Sequence, residues 1–522
     1  ATPSSNATAA TAFPTDIGFL GTTIAGSPPF TVQRDTLLNS STPNAALGPS
    51  PYERRWHATD DASNGTAFSI WEHMGNTSPY ASSKLFPDAQ RFQDLPPTCA
   101  VSGVHILHRH GARFPTSSTS EGAPLFGATI RNATNLTSTG PLSFLNTWQY
   151  QLGAELLVPA GRSQLFDSGV AAAFRYGKLL NASQANGAKP VLRTTSQSRI
   201  LDSARYWSLG AFGWNAPELI NLEVQIEGDG FNTSLASYDT CNNSNTIDVA
   251  GTYLEPQWLS IYLKNATQRL QQYTSLNLTA ELVYGMQSLC PYETQALGFS
   301  NFCALFTEDE WRGYDYYLSL QFAGSYGFLS PSGKAQGIGY AQELLARLTR
   351  QTVPPPVTTQ NTTFSTSELY SPFNQSFYAD FTHDDIIVSV LTALNYTQFA
   401  DYLDPTALPS ASNFTLSQIT PFSAQLAFEI IDCQANNATS TPDGPAAEST
   451  QYLRTVLNDA VVPMDADQGC TTPTPNAALC KLSDFIDYQN RTAVAAANFD
   501  KACFGVNGTD FSITGPVRNG TV

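Results

Sequence analysis

The sequence predicts an α/β fold with a helical insertion. Three observations predict it. Strand-length apolar runs and amphipathic helical stretches follow one another along the chain. Helical patterning dominates between about residues 140 and 290. The chain is 522 residues long, 42% hydrophobic and only 13% charged, which suits a large core and argues against disorder. At ~150 residues per domain the length corresponds to two to four domains.

The elements follow in order. Residues 1 to about 70 are rich in Ala, Thr, Ser, Pro and Asn without strong periodicity, and read as an arm that wraps the body or is partly mobile. From Cys99 to His108 the run CAVSGVHILH places Val101, Val104, Ile106 and Leu107 as a buried strand should, and it ends in RHGARFPT, where Gly111 and Pro115 mark a turn. Gly161 to Leu180 carries Leu165, Val170, Phe174, Tyr176 and Leu179 on a helical stripe. Pro190 to Arg193 looks extended, and Ser203 to Trp214 is again helix-like. Gly337 to Arg350 is an amphipathic helix with Tyr340, Leu344, Leu345 and Leu348 on one face, stopped by the prolines at 354 to 356. Phe377 to Phe381 reads as a strand. A helix then begins near Asp384 or Asp385, whose carboxylates suit its positive N-terminus.

Charge and cysteine usage narrow the function. Lys and Arg number 26 against 43 Asp and Glu, a net charge of −17, which repels phosphate backbones and excludes general nucleic-acid binding. No apolar stretch approaches the ~20 residues of a membrane helix, so no membrane partner is expected. The chain starts at Ala1, read as a mature chain from which a signal has been removed. About 19 Asn-x-Ser/Thr sequons, among them Asn6, Asn76, Asn132, Asn135, Asn265, Asn374 and Asn507, point to N-linked glycans and a secreted, extracellular protein. Eight cysteines without a Cys-x-x-Cys pair indicate four disulfides in an oxidising compartment, with Cys290–Cys303 and Cys470–Cys480 as close candidates.

The histidines carry the chemistry. There are six, and His105, His108 and His110 lie within six residues. Strand alternation turns His105 away from the other two, so a metal site from this segment is disfavoured. The better reading starts from Arg109-His110-Gly111-Ala112-Arg113. Two guanidiniums bracket a histidine at a strand end, and guanidinium binds phosphate bidentately at any relevant pH. Their charge also disfavours protonation of His110, leaving a neutral imidazole as nucleophile. Hydrolysis of a monoester needs an acid for the leaving alkoxide, and Asp384, beside His383, is the candidate. Simple helix capping by Asp384 and Asp385 is the plain alternative.

RHGARFPT followed far downstream by the His383-Asp384 pair resembles the histidine acid phosphatases, most of all their secreted fungal phytase branch. The resemblance runs from about Ser78 to Phe504 and includes CALFTEDEW at 303 to 311 and ADFTHD at 379 to 384. It implies a central mixed sheet flanked by helices, the phosphoglycerate mutase-like histidine phosphatase fold, with a smaller inserted α-helical domain. In that picture residues 76–160, 190–215 and 315–522 form the α/β domain, 161–189 and 216–314 the helical one, and 1–75 the arm. His110 would form a phosphohistidine. Arg109, Arg113 and Arg193, the last within VLRTTSQSR, would hold the phosphate with His383, and Asp384 would donate the proton. No metal or organic cofactor is implied. The implied disulfides are Cys99–Cys433, Cys241–Cys503, Cys290–Cys303 and Cys470–Cys480. Expected substrates are small phosphate monoesters such as phytate, sugar or aryl phosphates. The oligomeric state stays open.

Departures from the family bear on selectivity. Phytate-selective relatives carry lysines around the pocket mouth, because six phosphates demand many cations. Here SSTSEGAP brings Glu121, and Gln321-Phe322 stands where those relatives have a lysine pair. A less selective enzyme follows, phytate included among its substrates, with a broad-specificity acid phosphatase of little phytase preference as the alternative. Asp385 stands where relatives usually have Asn and is expected to raise the pKa of Asp384. His108 also departs from the family, without an assigned role.

Overall fold

β1 (Cys99–Arg109) is the strand around which the structure is organised. The computed structural model describes residues 68–90, 94–184, 188–434, 449–470, 478–505 and 515–522, so most of the expected arm lies outside the described residues. Where the description begins, Ile70, Trp71 and Met74 are already buried in the core.

The sheet contains β1 with β2 (Val191–Thr195), β3 (Asn221–Gln225), β4 (Phe377–Thr382), β5 (Gln425–Gln434), β6 (Ser449–Leu457), β7 (Ala460–Val462) and β8 (Cys480–Lys481). The order is β3-β2-β4-β1-β5-β6-β7, with β8 paired to β6. β3, β2, β4 and β1 run parallel, and β5, β6 and β7 antiparallel, so the sheet is mixed as expected. The strands read from the sequence are present, β1 and β4 each running one residue further than predicted and β2 two.

Eight helices matter here: α1 (Gly122–Asn132), α2 (Pro159–Ser183), α3 (Ser198–Phe212), α4 (Ala280–Leu297), α5 (Glu308–Ser325), α6 (Gly333–Thr349), α7 (Asp384–Ala393) and α8 (Leu482–Ala497). Strand alternation sends side chains to two cores. Val104 and Ile106 of β1, with Phe377, Ala379 and Phe381 of β4, pack against Leu165, Ala172 and Leu179 of α2 and Ile200, Ala204 and Trp207 of α3. Leu107 turns the other way, into a larger core with Met286 of α4, Trp311 and Tyr314 of α5, Ile338 of α6 and Ile387 of α7. Fully burying each such side chain contributes about 1.5–3 kcal/mol.

Two stretches placed with the helical domain pack on the sheet instead. Residues 161–189 contribute α2, which lies on the β1/β4 face through Leu165, Ala172, Tyr176 and Leu179, whereas Phe174 of the expected stripe is 89% exposed. Residues 221–225 form β3, the edge strand beside β2. The four disulfides join Cys99–Cys433, Cys241–Cys503, Cys290–Cys303 and Cys470–Cys480, as the resemblance implied. Cys99 and Cys433 are direct partners across the β1/β5 register.

Candidate active site

Parallel strands deliver their C-terminal ends to one edge of a sheet, where loops and helix N-termini converge. Here β1, β4 and β2 bring His110, His383 and the start of α3 to that edge. A cavity of about 740 Å³ opens there, between the strand ends and the helices α1, α4 and α5. His110, Arg113, Arg199, His383, Asp384 and Asp385 line it.

The turn after β1 is built for close approach. A Cβ at Gly111 would sit 2.3 Å from the Gly161 carbonyl oxygen, and one at Gly161 would sit 2.0 Å from that of Ala112. Only glycine at both positions lets the start of α2 seat against the turn. Ala112 N–H donates to Gln164 Oε1 at 2.8 Å, which fixes the loop further.

His110 is 1% exposed. Its Nδ1 lies 2.8 Å from the carbonyl oxygen of Gly111, which can only accept, so Nδ1 carries the hydrogen and Nε2 is bare. Burial pushes the imidazole well below its ordinary pKa, and Arg109, Arg199 and Arg113 push it further. The ring is neutral, as a nucleophile must be.

Arg113 lines the cavity and donates Nη1 to Phe114 O at 2.8 Å, pairing with no carboxylate among the described residues. Arg109 is buried behind it. Its Nη1 donates to Thr420 O at 2.7 Å and to Asn76 O, its Nη2 lies 2.6 Å from Asp384 Oδ2, and its guanidinium sits 4.5 Å above the Phe422 ring. Burial lowers its pKa only to about 10, so it stays charged.

Arg193 is not in the cavity. It is the third residue of β2, registered opposite Asp380 of β4, and so points within the body of the fold rather than beyond the strand ends. Its Nε donates to Asp380 Oδ1 at 2.6 Å and its Nη1 to Glu343 Oε2 at 2.8 Å. The expected phosphate role for Arg193 is therefore corrected. The second arginine of the same segment, Arg199 in the first turn of α3, takes the cavity position. Its Nη1 donates to Glu155 Oε2 at 3.0 Å and its Nη2 approaches His383 Nδ1 at 3.5 Å.

His383 is oriented from behind. Its Nε2 lies 3.0 Å from Glu227 Oε2 and 3.1 Å from Tyr238 Oη, and Tyr238 also donates to Glu227 Oε1 at 2.5 Å. The carboxylate fixes hydrogen on Nε2, leaving Nδ1 toward Arg199. Burial opposes ionisation of Glu227, but His383 and its hydrogen bonds outweigh this and bring the carboxyl down to about 2. Glu227 and Tyr238 lie in segments with no motif, and no pattern in the sequence marks them.

Two adjacent carboxyls complete the wall. Asp384 and Asp385 are each 8% exposed. Asp384 Oδ2 accepts from Asn76 Nδ2 at 2.8 Å besides its pair with Arg109. Burial works to raise its pKa, yet Arg109, Asn76, Arg113 and His383 together hold it below the ordinary value. Asp385 accepts from Ile386 N–H at 2.7 Å, and burial followed by the Asp384 charge pushes it well above the usual carboxylate range. The expectation that Asp385 lifts Asp384 is thus reversed, because Arg109 favours one carboxylate over the other. Asn76 is a sequon residue, but its amide faces Asp384, a poor position for a glycan. Asn132, Asn135, Asn265 and Asn374 are exposed, while Asn6 and Asn507 lie outside the described residues.

His108 receives a structural account. Its Nδ1 donates to Arg109 O at 2.7 Å and its Nε2 accepts from Ser168 Oγ at 2.7 Å, tying β1 to α2, and burial lowers its pKa to about 4. The cavity mouth bears Glu121, Gln321 and Phe322, with Tyr284, Tyr292 and Tyr314 along the helical wall. No lysine lines it among the described residues.

A family model described as histidine phosphatase superfamily (branch 2) matches residues 100–458. "Phytase A" of Aspergillus oryzae is 32% identical over 84% of this chain and 92% of its own length. An "Acid phosphatase" of Schizosaccharomyces pombe is 29% identical over 84% of this chain and 91% of its own. In three dimensions the phytase from D. castellii superposes with a TM-score of 0.66 at 21% identity, covering 91% of this chain and 96% of its own.

Proposed function

Given that the chain belongs to branch 2 of the histidine phosphatase superfamily, a family of phosphoric monoester hydrolases, we propose that it is a secreted acid phosphatase that works through a phosphohistidine at His110 and accepts phytate among its substrates. One observation carries this reading. The bare Nε2 of His110, its tautomer set by the Gly111 carbonyl, shares a cavity with Arg113, which has no carboxylate partner among the described residues, with Arg199 and with a carboxyl acid.

The steps follow from that arrangement. The phosphoryl group lodges against Arg113 and Arg199, whose charge neutralises its equatorial oxygens. Arg109, behind the turn, adds to the same field. His383, once protonated, offers Nδ1–H to a further oxygen while Glu227 keeps its other nitrogen occupied. Nε2 of His110 attacks phosphorus in line as the ester bond breaks. Asp384 gives its proton to the departing oxygen. In the second half, Asp384 takes a proton from water as that water attacks the phosphohistidine, releasing phosphate and restoring both groups. A carboxyl donor must be protonated, which places activity in acid.

The relatives named phytase support phytate as a substrate. The cavity's own charges support weak selectivity. Two lining arginines face Glu121, Glu155, Asp384 and Asp385, so a ligand with one phosphate and a neutral body fits at least as well as one with six phosphates. Four disulfides and exposed sequons support secretion and glycosylation.

The test is phosphate release from phytate and from p-nitrophenyl phosphate between about pH 3 and pH 7 for wild type and His110→Ala. The variant should lose turnover of both by a factor of about 10⁴ or more, as removal of a covalent nucleophile does. Full activity in the variant would remove the nucleophile assignment. Turnover of the aryl ester alone would remove phytate and keep the phosphatase.

A further inference from the structure

The acid of this reaction faces a difficulty in its own contacts. Asp384 must carry a proton to donate it, yet it lies 2.6 Å from a buried guanidinium and accepts a second hydrogen bond from Asn76. Both contacts favour the carboxylate. Its chain neighbour Asp385 lines the same cavity, is equally buried and has no ion-pair partner among the described residues. Among the described residues it accepts one hydrogen bond, from the Ile386 N–H.

We propose that Asp384 and Asp385 act as a dyad holding a single proton, stored on Asp385 before substrate binds and delivered to the substrate by Asp384. This rests on the phosphohistidine reading above. Like charges so close, in a buried wall, do not both ionise readily. Before substrate binds, Arg109 decides which one ionises. When substrate arrives, its phosphate competes for the Arg109 field and adds negative charge beside Asp384. The preference then reverses and the shared proton moves to Asp384.

The proton count closes. One proton leaves the dyad for the alcohol oxygen as the ester P–O bond breaks and the His110 Nε2–P bond forms. The dyad is then doubly ionised. Water attacking phosphorus returns one proton to it as the N–P bond breaks. Around Asp385 the facing charges are Asp384 and His383 beside it, Arg109 at the end of β1 and Arg113 after it, Arg199 on α3, Glu227 and Tyr238 behind His383, and Tyr326 after α5. Arg199 favours ionisation of Asp385, whereas Glu227 and Asp384 oppose it. Asparagine at 385 keeps the shape and cannot share the proton.

The experiment compares pH profiles of kcat/KM for a poor leaving group, β-glycerophosphate, in wild type, Asp385→Asn, Asp385→Ser and Asp385→Glu. Loss of the second carboxylate lets Asp384 give up its proton at lower pH. The alkaline limb should therefore move down by about one pH unit in both neutral variants, a tenfold change on that limb, and return toward wild type with Glu. With p-nitrophenyl phosphate, whose leaving group needs little protonation, the displacement should be much smaller. Limbs that superimpose for both neutral variants, or equal displacement on both substrates, overturn the dyad. Radiolabel from p-nitrophenyl phosphate trapped on His110 is read in the same samples. No label in wild type removes the phosphohistidine reading and the dyad with it, while label together with superimposed limbs removes the dyad alone.

Discussion

Two arginine clusters flank the same strands, and only one of them is open to an anion. Behind the site, Arg193 and Arg347 enclose Asp380, with Glu343 on the outer side of Arg193. Two cations meet two carboxylates, all at most 3% exposed on their side chains, and Tyr340 and Ser234 donate further hydrogen bonds to Asp380 Oδ2 and Glu343 Oε2. At the cavity, Arg109, Arg113 and Arg199 meet two carboxylates, and one of those, Glu155, is 37% exposed. The first cluster is closed and neutral. The second leaves the Arg113 guanidinium without a carboxylate partner among the described residues, in a half-buried place, which water alone compensates poorly. A phosphate dianion supplies what the second lacks and has nowhere to enter the first.

The largest effect should come from the closed cluster. Arg193→Ala leaves Asp380 and Glu343 buried with one cation between them, and should destabilise the fold by about 3–5 kcal/mol in urea unfolding. Arg199→Ala should cost less than about 1 kcal/mol of stability, because its partner is well solvated. If Arg193→Ala unfolds like wild type and loses activity instead, the distinction between the clusters fails. Next in size is the loss of phosphate stabilisation. Arg113→Ala and Arg199→Ala should each lower kcat/KM by about 10²–10³, or roughly 2.7–4 kcal/mol of transition-state stabilisation. Retention of more than a tenth of the activity in either would remove that arginine from the phosphate.

A smaller effect separates the clusters by pH. Burial raises the pKa of Asp380, but Arg193 and Arg347 outweigh it and leave the group well below the ordinary carboxylate range. For a depressed carboxyl, the stability it contributes is complete above the unfolded value near ~4 and is lost as pH falls through the folded one. The deficit of Asp380→Asn relative to wild type should thus be constant from about pH 6 to 4, then shrink by at most about 1.4 kcal/mol per pH unit. A deficit that shrinks already at pH 6 would mean the ion pairs are not what holds this cluster.

The same contrast explains what could be read without coordinates. Strands β1, β2 and β4 and the helix after His383 were legible because they depend on local patterning. Arg193 against Arg199 was not. Both belong to VLRTTSQSR, each has one small polar and one aliphatic neighbour, and only the register of β2 on β4 tells that the first is opposite Asp380. The position of α2 was misjudged for a related reason, since an amphipathic stripe shows that a helix has a core face but not which core it meets. Glu227 and Tyr238 reach His383 across 156 and 145 residues of sequence separation, a contact that no local rule contains. The charge split between Asp384 and Asp385 needed the guanidinium of a third segment.

The smallest expected change concerns the cavity mouth. Adding charge there asks whether the open cluster's hold on phosphate can be extended outward to a second phosphate. Glu121 is exposed and Gln321 half-buried at the rim, so both tolerate substitution without disturbing the core. A unit charge about 4 Å from another is worth ~1 kcal/mol in water, a gain of roughly five- to tenfold per well-placed cation. Gln321→Lys with Glu121→Gln should raise kcat/KM for phytate by that factor at low ionic strength, and should leave p-nitrophenyl phosphate within about twofold, since its one phosphate is already held inside. Salt near ~0.5 M should erase most of the gain, because the new charge is within reach of solvent ions. A rise on both substrates would mean the rim steers every anion alike. No rise on phytate would mean its outer phosphates do not pass Glu121 and Gln321, and that the tyrosine wall of α4 and α5 meets the substrate's body instead.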